Sequence, residues 1–361
     1  MQCATLAVDI SALKSNYQLL KNRHAKNSVA AVVKANAYGL GVKEVSLALW
    51  ADGCRDFFVA TLAEGIELRG ILPEVKIGVF QGLFAGEEKE YSYHRLTTVL
   101  NDIPQVERFT KSELRHTSKN IMLHVDTGMT RLGLSESDLL LLTTKFSALS
   151  THNSLLILSH LACANDSSHP KNSEQLNRFQ AALKYFPNTK ASLANSAGVF
   201  LPDEFHFDIA RTGCALYGIN PTDNTKQMQH VATLSAPILQ IRTLDRDETV
   251  GYGATAPAKK GSRIAIIALG YADGYFRSLS NQGFAFITGH KVQHKVPLLG
   301  RVSMDMVAVD ISNIPESQIT EQTRAEFINN IQTVDDIASQ CNTIGYEIFT
   351  RIGRRIQRVY S

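Results

Sequence analysis

Eight short, continuously apolar runs punctuate the first 215 residues: SVAAVVK (28–34), DFFVAT (56–61), VKIGVFQG (75–82), TTVLND (97–102), NIMLHVD (120–126), LLILSHL (155–161), ASLANS (191–196) and FDIARTG (207–213). They do not alternate, so they read as strands buried on both faces of a parallel sheet. Stretches of helical period lie between most of them. In ISALKSNYQLLKNR, Ile10, Leu13, Tyr17 and Leu20 share one face and Ser11 is placed to cap. In TLAEGIELRG, Leu62, Ile66 and Leu68 are placed similarly. Eight strands with helices between them predict an α/β fold, an N-terminal (β/α)8 TIM-type barrel, with an open doubly wound sheet as the alternative.

The texture changes near residue 230. VATLSAPILQIRTL, ETVGYGATAPAKKGSRIAIIALGYADG and GFAFITGHKVQHKVPLLGRVSMDMVAVDIS alternate more and carry Gly-rich turns. They predict a C-terminal mostly-β domain, so the expected division is 1–228 for the barrel and 229–361 for the β domain. A helix near TVDDIASQ and a final strand complete the reading.

With 361 residues, 37 Lys+Arg against 34 Asp+Glu and a net charge of +3, the chain has no reason to seek nucleic acid or an anionic membrane. Its five cysteines, Cys3, Cys54, Cys163, Cys214 and Cys341, are widely spaced, which argues for reduced thiols in a cytoplasmic setting and against a zinc site. His290 and His294 have metal-like spacing but no Cys or carboxylate beside them, and read as structural. The opening residues do not resemble a signal peptide, and no apolar run approaches the ~20 residues a membrane span needs.

Several strand runs end in a polar residue that a core would not tolerate unpaired: Lys34, His124 with Asp126, His160, Asn195 with Ser196, and Arg211, with Arg131 close behind Asp126. In a barrel these ends converge on the C-terminal face, where active sites of this architecture sit. Lys34 follows a buried strand, where desolvation favours the neutral amine that a Schiff base requires. A snorkelling structural lysine is the alternative. The Ser196 hydroxyl and the Gly213 and Cys214 amides follow the seventh and eighth runs, the usual phosphate position in a barrel. A lysine beside a phosphate site points to pyridoxal phosphate.

Taken together, VVKANAYGLG, HVDTGMTRLG, SHLACAND, NSAGVF, DIARTGCALYG, VGYGATAPA, GYADGYFR, GRVSMDMVAVD, TIGYEI and GRRIQRVY resemble the alanine racemase family, in order across nearly the whole chain. The resemblance implies a pyridoxal 5'-phosphate enzyme that interconverts L-alanine and D-alanine for peptidoglycan synthesis. It implies a homodimer whose β domain contributes to the partner's active site. Lys34 would carry the cofactor as an aldimine, with Tyr252 as the second acid/base group, reaching in from the partner. Tyr38, Ser196, Gly213, Cys214 and Tyr346 would hold the phosphate, and Arg211 would face the pyridine nitrogen with His160 beside it. Arg131 would reach the cofactor's phenolic oxygen and the substrate carboxylate, the Met304 amide, also from the partner, would bind that carboxylate, and Tyr271 and Tyr346 would narrow the entrance.

The chain departs from the family at His124, where many members carry a carbamylated lysine that orients the arginine equivalent to Arg131. A chloride, Asp126 or a neutral His124 nitrogen would have to serve instead. A racemase of broader amino-acid preference is one competing reading, and a non-catalytic pyridoxal phosphate-binding protein is another. Tyr271 with Tyr346 argues against the first, and the β domain bearing Tyr252 and Met304 against the second.

Overall fold

The computed structural model describes residues 3–26, 28–118, 120–145, 155–222, 227–289 and 292–361. The chain forms two compact units, Ala12–Gln229 and Met1–Ser11 with His230–Ser361. The expected division therefore changes at its N-terminal end. Strand β1 (Thr5–Val8) belongs to the second unit, because TLAV buries only alternate residues, Leu6 and Val8, as a strand with one wet face does. The barrel runs are buried at consecutive positions, apart from end residues such as Asp56, Lys76, His124 and Lys190.

In the first unit, strands β2 (Val29–Val32), β3 (Asp56–Val59), β4 (Lys76–Val79), β5 (Thr97–Leu100), β6 (Ile121–His124), β7 (Leu155–Leu158), β8 (Lys190–Ser192) and β9 (Ala210–Thr212) form one parallel eight-stranded sheet. β2 pairs with both β3 and β9. Between β8 and β9 the circle closes through single bonds: Asp208 N to Ala191 O at 2.9 Å and Arg211 N to Ala194 O at 2.9 Å. The barrel interior is a packed core of Ala30, Val32, Phe58, Val99, Met122, Leu156 and Leu158, with Tyr38, Phe80 and Ile209 against it. It is filled, so chemistry is confined to its rim.

The connecting helices follow their local signals. Thr61 and Glu64 form a capping box at the start of Leu62–Ile71. Asp102 caps Ile103–Lys111, which opens with Pro104. Two expectations shift. The first helix begins at Ile10, so Ser11 lies inside it and does not cap it. In Leu62–Ile71 the buried face is carried by Gly65 and Leu68, while Leu62 and Ile66 are half-buried.

The second unit is built on β10 (Ala232–Thr243), a twelve-residue strand with a different partner along each stretch. It pairs with β1 near Ala232–Ser235, and further along with two later strands, β13 (Arg263–Ile267) and β17 (Arg324–Ile328). The circuit continues through β14 (Phe284–Gly289), β15 (Val292–Leu299) and β16 (Val307–Asp310), and β13 pairs with both β16 and β10. β18 (Gln357–Tyr360) lies parallel to β1, and β11 (Glu248–Val250) pairs with β12 (Ala256–Ala258) as a separate hairpin. Among the described residues no helix is long and apolar enough to cross a membrane.

Candidate active site

Lys34 stands two residues past the end of β2, and the four residues after it are backbone outliers. Ala35, Asn36, Ala37 and Tyr38 all have φ between 51 and 56°, one turn of left-handed helix made without glycine. For L-residues this costs about 1–2 kcal/mol each, so the surroundings must hold it. Glu64 Oε1 accepts from Ala35 N at 2.7 Å, and Asn36 Oδ1 accepts from Val42 N at 2.8 Å. Gly39, at φ 88°, ends the turn and donates to Ala35 O at 2.8 Å. Lys34 itself is half-buried. Burial, with Arg131 adding to it and Glu64 opposing, pushes its amine below the ordinary lysine value.

The left-handed turn delivers Tyr38 beside β9. Its ring lies 4.8 Å from that of Tyr217, centroid to centroid. A Cβ on Gly213 would sit 2.5 Å from Tyr38 Oη, so glycine is what lets this phenol approach the backbone. The Ser196 hydroxyl accepts from Gly213 N at 2.9 Å and Ala215 N at 3.4 Å, with Cys214 between them opening the turn Cys214–Tyr217. Burial keeps the Tyr38 phenol protonated. Two hydroxyls and a run of amides thus meet at one point.

Arg211 is buried, and among the described residues its guanidinium donates to neutral oxygens: Ser192 O at 2.8 Å, Ser192 Oγ at 2.6 Å, and Ser159 O. Burial lowers it to about 10, which leaves it charged at neutral pH. Among the described residues Lys34, Arg131 and Arg211 form no ion pair with a carboxylate. Burial, then the fields of Arg211 and Arg131, drive His160 well below its ordinary value, so it is neutral.

His124 is held in one tautomer. Asn101 Nδ2 donates to Phe80 O and Val99 O, both at 2.9 Å, so its oxygen is the atom that faces His124 Nδ1 at 2.8 Å. Nδ1 must therefore carry the proton and Nε2 the lone pair. Burial first, then Arg211 and Arg131, lower the ring to about 4, with Asp126 opposing. Asp126 does not reach the Arg131 guanidinium. It organises the loop that carries it: Oδ1 accepts from Gly128, Met129 and Thr130 amides at 2.9, 3.0 and 3.1 Å.

The other expected residues lie in the second unit and cluster through close backbone approaches. A Cβ on Gly270 would fall 2.2 Å from Met304 O, and Tyr271 N donates to Ser303 O at 3.1 Å, so Tyr271 and Met304 are neighbours. A Cβ on Gly300 would fall 2.5 Å from Val250 O, which brings the Tyr252 turn against the segment leading to Met304. Gly274 packs under Arg351 O, docking the helix Gly345–Arg351 that carries Tyr346. Tyr252, Met304, Tyr271 and Tyr346 are 72, 54, 42 and 36% exposed: an apolar and phenolic surface displayed by a rigid frame. His294 Nε2 lies 2.7 Å from Gln318 Oε1, and His290 lies outside the described residues.

Asn101, Glu64, Ser159 and Ser192 were not anticipated. Asn101 carried the same signal as the others, a polar residue closing an apolar run. Glu64 showed only its Thr61-x-x-Glu64 capping pattern.

A closed parallel barrel that gathers a lysine, two arginines and a hydroxyl–amide cluster near its strand ends has the layout of a barrel enzyme. The chain matches the alanine racemase N-terminal domain over residues 8–221 and the alanine racemase C-terminal domain over residues 231–360. It is 45% identical to an alanine racemase of Rickettsia akari, covering 100% of this chain and 99% of that one. To one of Rhodospirillum rubrum it is 43% identical, over 99% and 96%. The crystal structure of alanine racemase from Bartonella henselae with covalently bound pyridoxal phosphate superposes with a TM-score of 0.91 at 35% identity, covering 99% of each chain. The biosynthetic alanine racemase of Pseudomonas aeruginosa gives 0.87 at 34%, covering 100% of each. The chain belongs to the alanine racemase family.

Proposed function

We propose that this chain interconverts L-alanine and D-alanine with pyridoxal 5'-phosphate, acting as a cytoplasmic homodimer that supplies D-alanine for peptidoglycan. One observation carries the reading. Lys34, pushed toward its neutral amine, follows β2, and the left-handed turn after it carries Tyr38 to the hydroxyl–amide cluster at Gly213, in a chain alignable end to end with alanine racemases.

The residues fit the cofactor. A phosphate ester needs donors and no neighbouring carboxylate, which Tyr38, Ser196 and the amides from Gly213 through Cys214 provide, and Gly213 keeps the approach open. Tyr346 would add a hydroxyl. Arg131 and Arg211, which pair with no carboxylate among the described residues, suit an anionic group. When bound, the cofactor supplies an aldehyde for the lysine amine and a conjugated ring that delocalises the electron pair left by a departing Cα proton.

The protein's own part is to hold and move protons on two faces. Lys34 Nζ, favoured as a free amine, takes or returns a proton on one face, and the partner's Tyr252 does so through Oη on the other. A neutral phenol is a poor base and needs cationic help to give up its proton. Arg211 stays charged and, with neutral His160 in its field, would provide that help. Arg211 does not surrender its proton, so it would leave a facing ring nitrogen unprotonated. Arg131 and the partner's Met304 amide would hold the substrate carboxylate, and Tyr271 and Tyr346 would limit the entrance to a methyl side chain.

The test is a D-amino-acid-oxidase-coupled assay over a panel of L-amino acids on protein loaded with pyridoxal phosphate. L-alanine should turn over fastest. Equal rates on bulkier side chains would make it a broad racemase, and bound cofactor without turnover would make it a binding protein.

A further inference from the structure

The four left-handed residues after Lys34 form the most strained segment of the described chain, and one carboxylate outside the assigned site grips it. Glu64 uses its two oxygens in two directions. Oε2 accepts from Ala60 N at 2.8 Å and Thr61 N at 3.2 Å, at the junction of β3 with its helix. Oε1 accepts from Ala35 N at 2.7 Å, the first amide of the left-handed turn. The Glu64 backbone is fixed in turn by its own amide, which donates to Thr61 Oγ1 at 3.2 Å. An ordinary capping box needs only the bonds to Thr61. The reach to Ala35 is extra, and it bridges from β3 to the peptide that follows Lys34.

The remaining restraints on the turn are local or lie further along it. Ala37 N donates to Val33 O at 2.9 Å, Asn36 ties to Val42, and Tyr38 packs on Tyr217. Gly39 N donates to Ala35 O at 2.8 Å from within the turn, and Glu64 is the side chain from another element that acts at Ala35, where the chain turns from the strand into the left-handed conformation. Strained backbone persists only where its neighbours over-determine it.

We propose that Glu64 is a positioning residue for Lys34: its carboxylate clamps Ala35 to the β3–helix junction and so fixes the backbone from which the lysine reaches into the barrel mouth. The proposal rests on the reading of Lys34 as the cofactor-linked lysine. The clamp needs two acceptors on one side chain. Glu64→Gln keeps one oxygen and turns an amide donor toward a backbone N–H, so one half of the bridge is lost. Glu64→Asp keeps the charge and loses the reach. Thr61→Ala breaks the helix cap and leaves the Ala35 bond intact.

The experiment compares these three variants with the wild-type full chain by hydrogen–deuterium exchange of peptides covering 33–42 and 60–71. It also measures the equilibrium dissociation constant for pyridoxal phosphate, with borohydride trapping to locate the attachment. Glu64→Gln and Glu64→Asp should each speed exchange in 33–42 and weaken cofactor capture by about tenfold, the equilibrium equivalent of one lost hydrogen bond to a charged group. Thr61→Ala should loosen 60–71 and leave both other readouts at the wild-type value. The proposal is overturned if the Glu64 variants leave 33–42 and capture unchanged, or if Thr61→Ala reproduces them. A wild-type adduct trapped at some other lysine would strike the reading of Lys34, while the exchange data would still report on the clamp.

Discussion

Replacing His124 with glutamine removes a group that should make the protein acid-sensitive. The ring is neutral in the folded protein down to about pH 4, whereas a histidine in the unfolded chain titrates at its ordinary 6.5. Between those values the unfolded state holds a proton that the folded state refuses. The contribution of His124 to stability is therefore fully present above pH 6.5 and is lost as the pH falls toward 4. Integrating from pH 7 to pH 4.5 gives a loss of about 2.5 kcal/mol from this residue alone. Urea melts of wild type and His124→Gln, run side by side over that range, cancel the carboxylates and the other histidines. The stability difference should move in favour of the variant by about that amount as the pH falls. A second readout tests the tautomer: 15N shifts of the His124 ring should show Nδ1 protonated and Nε2 bare at pH 7, and Asn101→Ala should release that preference. Parallel stability curves, or a ring protonated on Nε2, would refute the argument that Asn101 fixes the proton and that burial among Arg211 and Arg131 keeps the ring neutral.

Three further substitutions probe the remainder of the site. Gly213→Ala places a methyl 2.5 Å from Tyr38 Oη and must displace the phenol, so pyridoxal phosphate affinity should fall about tenfold or more, with about 1–3 kcal/mol of stability, read by cofactor titration and denaturation. Tyr252→Phe should lower L-to-D turnover by at least about 10²-fold while cofactor retention stays at the wild-type level; unaltered turnover removes this residue from the mechanism. Gly270→Ala drives a methyl to 2.2 Å from Met304 O, a backbone atom that cannot step aside. It should unlatch the Tyr271 turn and raise KM for alanine with little change in cofactor binding; an unchanged KM would separate this turn from substrate recognition.

Where the physical signal was local and repeated, the chain could be read. Val29–Val32, Leu155–Leu158 and Thr97–Leu100 are buried at every position, as continuous apolar runs require; Lys34 lies two residues past β2 and Ser196 four past β8, while Arg211 lies inside β9. β17 was missed because RAEFI shows little hydrophobic continuity; its place between β14 and β10 is dictated by partners far away in sequence. Thr5–Val8 was not read as a strand and fell within the expected 1–228 division, since only pairing with β10 and β18 tells where it belongs. The left-handed turn was invisible for a deeper reason. Ala35, Asn36 and Ala37 have no propensity for positive φ beyond that of Asn36, so nothing in ANAY announces it. The conformation is imposed from outside, by Glu64 at one end, by Gly39 at the other, and by the fit of Tyr38 between Gly213 and Tyr217. Composition and periodicity report what a segment prefers, and here the segment next to Lys34 is held against its preference. Residues that do such holding are found by asking which carboxylate or amide accepts from a strained peptide, and that question needs coordinates. Glu64 emerged that way, and Asn101 by the same question asked of the His124 ring: each is an ordinary polar residue in sequence, and each uses a side-chain oxygen to fix a neighbour from another element.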